Sequence, residues 1–186
     1  KDGYAAVQLG MEDLKNSKTT KANAGHAAKA NSAAKRYYRE FRCDEMVDLE
    51  VGATVSADLF AAGDMVDVTG TSRGKGYKGT IYRNNAHMIN ETHGAGPIHR
   101  HVGSMATIGR NNGIINKNTP MPGHEGCYTT TNQNLTIIKV DMEHNCLLVK
   151  GNVPGPRKGL VVVKTTVKPV KHVDTVVELI NYTEEA

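Results

Sequence analysis

Apolar and polar positions alternate most clearly in the second half of the chain. Met65-Val-Asp-Val-Thr69 has the two-residue period of a half-buried strand, entered through a turn at Gly63-Asp64. Residues 134–140 (Asn-Leu-Thr-Ile-Ile-Lys-Val) and 146–150 (Cys-Leu-Leu-Val-Lys) repeat that signal, and the five residues between them predict a hairpin. Gly151-Asn-Val-Pro-Gly-Pro156 reads as a rigid turn, and residues 159–167 (Gly-Leu-Val-Val-Val-Lys-Thr-Thr-Val) as the last strong strand. Weaker signals predict a short strand over residues 4–9, ended by Gly10, and another over residues 51–60 leading to Phe60. Helical character is confined to an Ala-rich stretch. A solvated linker from Asn16 leads into a polar helix over about residues 27–38, because alanine is the best helix former. Its cations Lys29, Lys35, Arg36 and Arg39 read first as a solvated face, with RNA contact as the alternative. Short strands, Gly/Pro turns and one short helix predict a mainly β chain built as a small antiparallel barrel. Residues 168–186 carry a net charge of −2, and residues 173–180 fit a strand or a short helix equally.

The periodicity fails between Gly70 and Gly126. These 57 residues hold 11 glycines and five of the eight histidines, with no apolar repeat that could build a core. Seven cations (Arg73, Lys75, Lys78, Arg83, Arg100, Arg110, Lys117) face two acids, Glu91 and Glu125, so the segment is about +5. The remaining 129 residues carry 16 basic and 17 acidic groups, or −1. A long stretch without its own periodicity inside a compact chain signals function or disorder. Glycines interleaved with segregated cations describe a chain that takes its shape from a large polyanion, nucleic acid first. The expected organisation is a body of residues 1–69 and 127–167, an extension of residues 70–126, and a tail of residues 168–186.

Composition narrows the classes further. With 186 residues the chain suits one domain, or one domain and an appendage. Two Phe, seven Tyr and no Trp argue against a multi-base stacking platform of the RRM kind. Cys43, Cys127 and Cys146 are an odd, widely spaced set without a CxxC, which fits a reduced cytosolic protein better than a disulfide framework. No apolar run approaches the length of a membrane span, and no signal peptide opens the sequence.

Several patterns resemble chemistry and fail on spacing. Gly74-Lys-Gly-Tyr-Lys-Gly79 matches G-x-G-x-x-G after a strand, but Thr80-Ile-Tyr-Arg-Asn-Asn offers no amphipathic helix to hold a pyrophosphate. As a triphosphate loop, Gly70-Thr-Ser-Arg-Gly-Lys75 is one residue short, and Gly76 stands where Ser or Thr would meet magnesium. What survives is the physics of the stretch: glycines admit phosphates close to backbone amides, Arg73, Lys75 and Lys78 neutralise them, and Tyr77 can lie on a ribose or a base. The bland alternative is a glycine hairpin with solvated lysines. His93, His99 and His101 with Cys127 lack the paired spacing of a zinc site, and His124-Glu-Gly-Cys-Tyr128 breaks H-E-x-x-H at its last position. Neutral histidines that stack on or donate to RNA suit Thr92-His-Gly-Ala-Gly-Pro-Ile-His-Arg-His101 better. No acid–base pair is nominated, so the chain is expected to be no enzyme and to use no cofactor or metal.

Read in order, Met65-Val-Asp-Val-Thr-Gly-Thr-Ser-Arg-Gly-Lys-Gly-Tyr-Lys-Gly-Thr80, then Thr92-His-Gly, His99-Arg100 and Gly103-Ser104, then Leu147-Leu-Val-Lys-Gly-Asn-Val-Pro-Gly-Pro156 resemble large-subunit ribosomal protein three of bacteria. Residues 4–10, 35–42 and 159–164 fit in order, so the resemblance runs to about Val167. It implies a β-barrel body on the subunit surface, an extension into 23S rRNA with its tip near the peptidyl-transferase centre, and an early role in assembly. It implies 23S rRNA and neighbouring large-subunit proteins as partners, with no membrane and no small-molecule substrate, in the cytoplasm. The implied rRNA contacts are Arg73, Lys75, Tyr77, Lys78, Arg83, His93, His99, Arg100, His101, Arg110 and Lys117. The alternative is a non-ribosomal RNA-binding or translation-factor-like β-barrel protein.

Three departures stand beside the match. The family has a further stretch ahead of residues like Asp2-Gly-Tyr4, which supplies part of the barrel. Its tip is Lys-rich, whereas residues 111–123 here hold only Lys117, so the electrostatic grip there is expected to be weaker. Residues 168–186 extend past the usual bacterial end.

Overall fold

In the computed structural model, residues 3–42, 49–105 and 113–168 are described. They hold eight strands, two α-helices and two 3-10 turns. Cys43, Arg110, Asn111, Asn112 and the element expected over residues 173–180 lie outside the described residues. The described chain divides into two compact units, residues 3–64 with 137–149 and residues 65–136 with 150–168.

In the first unit, β1 (Ala6–Asp13) pairs antiparallel with β2 (Lys35–Arg42), from Ala6 opposite Arg42 to Asp13 opposite Lys35. The helix expected over residues 27–38 is therefore wrong over most of its length. Helix α1 (Lys21–Ala28) ends where the expectation began, and β2 takes Tyr37, Tyr38 and Phe41 into a sheet, where aromatic residues gain cross-strand contacts. Thr20 caps α1 by accepting the Asn23 N–H at 3.3 Å, and Asn31, at φ 49°, turns the chain out of it. Gly10 does not end β1, which continues through it to Asp13. The strand expected over residues 51–60 is also absent. A 3-10 turn at Ala57–Leu59 stands there, held by the Asn145 side-chain oxygen, which accepts the Ala57 N–H at 2.8 Å.

In the second unit, β3 (Met65–Thr71) lies between β6 (Thr129–Asp141) and β8 (Val161–Thr165), antiparallel to both. Val66 and Val68 on this central strand are buried to within 1% of completely. The end of β6 forms the expected hairpin with β7 (Cys146–Lys150) in the first unit, where Ile137 is equally buried. The chain is mainly β, as expected, but its strands lie in separate sheets of two, four and two, and no sheet of the described residues closes into a barrel. The expected single helix is corrected to two, because α2 (Thr80–Asn84) forms one short turn directly after Gly79.

The β3–β6 register slips between Val66 and Val68, so that Gln133 and Asn134 stand opposite Asp67 alone. Asn134, at φ 57°, donates its N–H to the Asp67 carboxylate at 2.9 Å, and its side-chain oxygen accepts the Thr166 hydroxyl at 2.6 Å. Asp67 is buried, yet its carboxyl is held below the ordinary carboxylate range, first by the Asn134 N–H and then by donors from Val167, Thr166 and Gln133, against the opposing effect of burial.

A lowered folded pKa gives stability that is full above the unfolded value of about 4 and is lost as pH falls through the folded value. Asp67→Ala also orphans the Asn134 N–H, so it should cost about 1–3 kcal/mol at neutral pH. Urea unfolding at stepwise lower pH should show the gap between variant and parent narrowing; a gap independent of pH would contradict this.

Candidate nucleic-acid interface

The second unit also holds the strands at the root of the Gly70–Gly126 segment. Leaving β3, the chain runs beside its own returning strand. Ser72 donates its N–H to the Tyr128 carbonyl at 2.8 Å, Cys127 returns one to the Ser72 carbonyl at 3.2 Å, and Lys75 donates to the Glu125 carbonyl at 2.8 Å. The two runs then form a ribbon of β4 (Gly76–Lys78) and β5 (Gly123–Glu125), in which Tyr77 stands opposite His124.

Gly126 makes the approach possible. At φ 85°, a β-carbon there would lie 2.2 Å from the Arg73 carbonyl oxygen and 2.8 Å from the Gly74 Cα. A β-carbon on Gly74 would in turn meet the Cys127 sulfur at 2.9 Å. These two glycines serve chain-to-chain packing, not the phosphate approach expected of the glycine-rich stretch. Gly76 and Gly79 face open space and keep that capacity.

Five nominated residues come together here. Arg73, Lys75 and Tyr77 are exposed, and Lys78 is half-buried at the end of β4. The ammonium groups of Lys75 and Lys78 lie 5.5 and 5.2 Å from the centroid of the Tyr82 ring, a cation–π arrangement that places both without neutralising either. Arg83 reaches across Gly123 and donates to the Met121 carbonyl at 3.0 Å, where Asn84 also donates at 3.1 Å. Of the segment's cations, Arg73, Lys75, Lys78, Arg83, Arg100 and Lys117 are described, and none forms an ion pair with a described residue.

The other nominated residues lie further along the segment. His93 is exposed at φ 57°, Arg100 donates to the Met88 sulfur at 3.1 Å, and His101 and Lys117 are exposed. His99 accepts the Ile89 N–H on its carbonyl at 3.2 Å, while its Nδ1 is buried without a partner among the described residues, as is the Thr80 hydroxyl. No three of the described His, Cys, Asp and Glu residues gather as a metal site, and no described helix is long and apolar enough to cross a membrane. The sequence alone nominates neither Tyr82 nor His124 as an RNA contact, His124 standing out there only in a broken metal motif. The spacing of Tyr82 from the two lysines fits one turn beyond β4, but His124 is recognisable only through strand register.

A family profile described as ribosomal protein L3 matches residues 40–186. The chain belongs to this family. Among its relatives, the large ribosomal subunit protein uL3 of Geobacillus sp. (strain WCH70) is 51% identical over 168 residues, covering 90% of this chain and 78% of the relative. That of Geobacillus thermodenitrificans (strain NG80-2) is 52% identical over 167 residues, with 90% and 78% covered. The protein of the same name from Listeria monocytogenes serotype 4a (strain HCC23) is 47% identical over 167 residues, again with 90% and 78% covered. The family match takes in the whole β4–α2–β5 region.

The close approach at Gly126 can be tested without touching a charge. Gly126→Ala should lower the unfolding free energy by about 2 kcal/mol or more, since strain at positive φ adds to collision with backbone. Gly25→Ala, in α1 with open space around it, should instead raise stability by about 0.5–1 kcal/mol. Equal and small effects in chemical denaturation would show that the crossing tolerates a side chain.

Proposed function

We propose that this chain is a structural constituent of the large ribosomal subunit, binds 23S rRNA and supports subunit assembly without performing chemistry itself. The observation that carries the reading is the root of the extension, where an aromatic ring holds Lys75 and Lys78 and a backbone carbonyl holds Arg83, none of them paired with a described carboxylate. A protein that neutralised its own cations would pair them with acids. Here their charge is left for an external polyanion, and polyphosphate backbones are the ligands that reward several such charges at once.

Family membership supports the choice of RNA, since the relatives carry the name of a large-subunit protein. In this reading the strands of residues 1–69 and 127–167 form the body, on the subunit surface. Residues 70–126 thread between rRNA helices toward the peptidyl-transferase centre. Arg73, Lys75, Lys78, Arg83, Arg100, Arg110 and Lys117 meet phosphates, and His93, His99 and His101 stack or donate. Any influence on peptide-bond formation is indirect, through the shape of the RNA. The site of action is the cytoplasm, within the particle and beside neighbouring ribosomal proteins.

The test is the salt dependence of binding between the full chain and a large-subunit rRNA transcript. Replacing Arg73, Lys75 and Lys78 together by Ala should flatten the slope of log K against log salt by about 2 to 3. An unchanged slope would remove the strand exit from the RNA contacts. Stoichiometric co-sedimentation with large subunits would separate the ribosomal reading from a free RNA-binding protein.

A further inference from the structure

We propose that Tyr77 and His124 form a binding corner for the base of one unpaired nucleotide. The inference rests on the RNA-binding reading and narrows it from a phosphate backbone to single-stranded RNA at one defined place.

The two residues are direct partners across the β4–β5 ribbon, so their side chains leave the same face. Their rings meet edge to face, with centroids 5.7 Å apart and planes at 84°. Two rings at that angle make a floor and a wall: a flat base can stack on one while the ring edge or a ring nitrogen of the other faces its rim. Tyr77 is 65% exposed and His124 is exposed, so neither ring is there to fill a core. An aromatic pair left open in the middle of a short ribbon is the kind of surface on which unstacked bases are held.

The ribbon is set before any ligand arrives. The Tyr128 hydroxyl donates to the His124 carbonyl at 2.9 Å and approaches the Glu125 carboxylate at 3.4 Å. The Lys75 N–H holds the Glu125 carbonyl at 2.8 Å, while Arg83 and Asn84 hold the Met121 carbonyl just ahead of β5. Less motion is lost when such a surface binds.

Charge lies beside the corner in the chain. Lys75 and Lys78 flank Tyr77 in sequence, and Tyr82 fixes both ammonium groups near the ribbon. A base on the corner therefore has cations available for the phosphates of its own strand. A duplex cannot use the corner, because its bases already stack on one another and present only their edges. One corner takes one base, which agrees with a chain too poor in aromatic residues for a longer platform.

The test compares two probes at fixed salt with the full chain: a single-stranded oligoribonucleotide of about ten residues carrying a fluorescent purine, and the same strand in a duplex. Tyr77→Leu should weaken single-strand binding about tenfold or more, and leave duplex affinity within about twofold. Tyr77→Phe should keep parental affinity, and His124→Ala should weaken single-strand binding alone. The salt slope should be unchanged in Tyr77→Leu, because no charge is removed. The inference is overturned if Tyr77→Leu and His124→Ala leave single-strand binding intact, or if they weaken both probes equally. A parent protein that binds neither probe would overturn the RNA-binding reading itself, and this inference with it.

Discussion

Two backbone runs pass so closely beside Gly126 that no β-carbon fits between them, and the rest of the candidate interface follows from that contact. It brings the outgoing and returning ends of a segment of more than fifty residues into hydrogen-bonding distance. Closing so long a loop has an entropic cost that the ladder from Ser72 to Lys75 helps to offset. Once the ends are joined, β4 and β5 fall into register, and register places Tyr77 against His124. The same joint lets α2 begin where Tyr82 can reach both lysines and Arg83 can cross Gly123.

A second constraint is electrostatic. The ion pairs Lys35–Asp13 and Arg36–Glu12 lie in the first unit, whereas the described cations at the root of the extension, Arg73, Lys75, Lys78 and Arg83, pair with no described carboxylate. There a ring face positions Lys75 and Lys78, and the Met121 carbonyl positions Arg83. Such contacts fix a charged group in place while leaving its net charge intact. Exposed ion pairs contribute little to stability, so their absence here costs the fold little and leaves the charge for binding.

How much of this was legible in the sequence depends on how local each cause is. β3, the β6–β7 hairpin and β8 were readable because alternation is a property of neighbouring residues. Residues 27–38 misled because alanine propensity outweighed a better signal, the aromatic run Tyr37, Tyr38 and Phe41, which pairs with β1 more than 20 residues away. The stretch before Phe60 failed similarly, since its 3-10 turn is held by Asn145, a residue 88 positions distant. In the interface, Arg73, Lys75, Tyr77 and Lys78 stood out as a local cluster of charge and glycine. His124 did not, because nothing near it in the chain announces its partner. Glycine in this stretch does mark close approach, but Gly126 and Gly74 approach another strand of the same chain.

The central claim is that the root of the extension, rather than the body, is where this chain meets RNA. RNA–protein cross-linking in large subunits assembled with the full chain, read by mass spectrometry of the cross-linked peptides, addresses it most directly. Cross-links should fall on the extension, residues 70–126, and include its root at residues 72–84 and 123–126. Cross-links confined to residues 3–64, with the extension root untouched, would contradict the account.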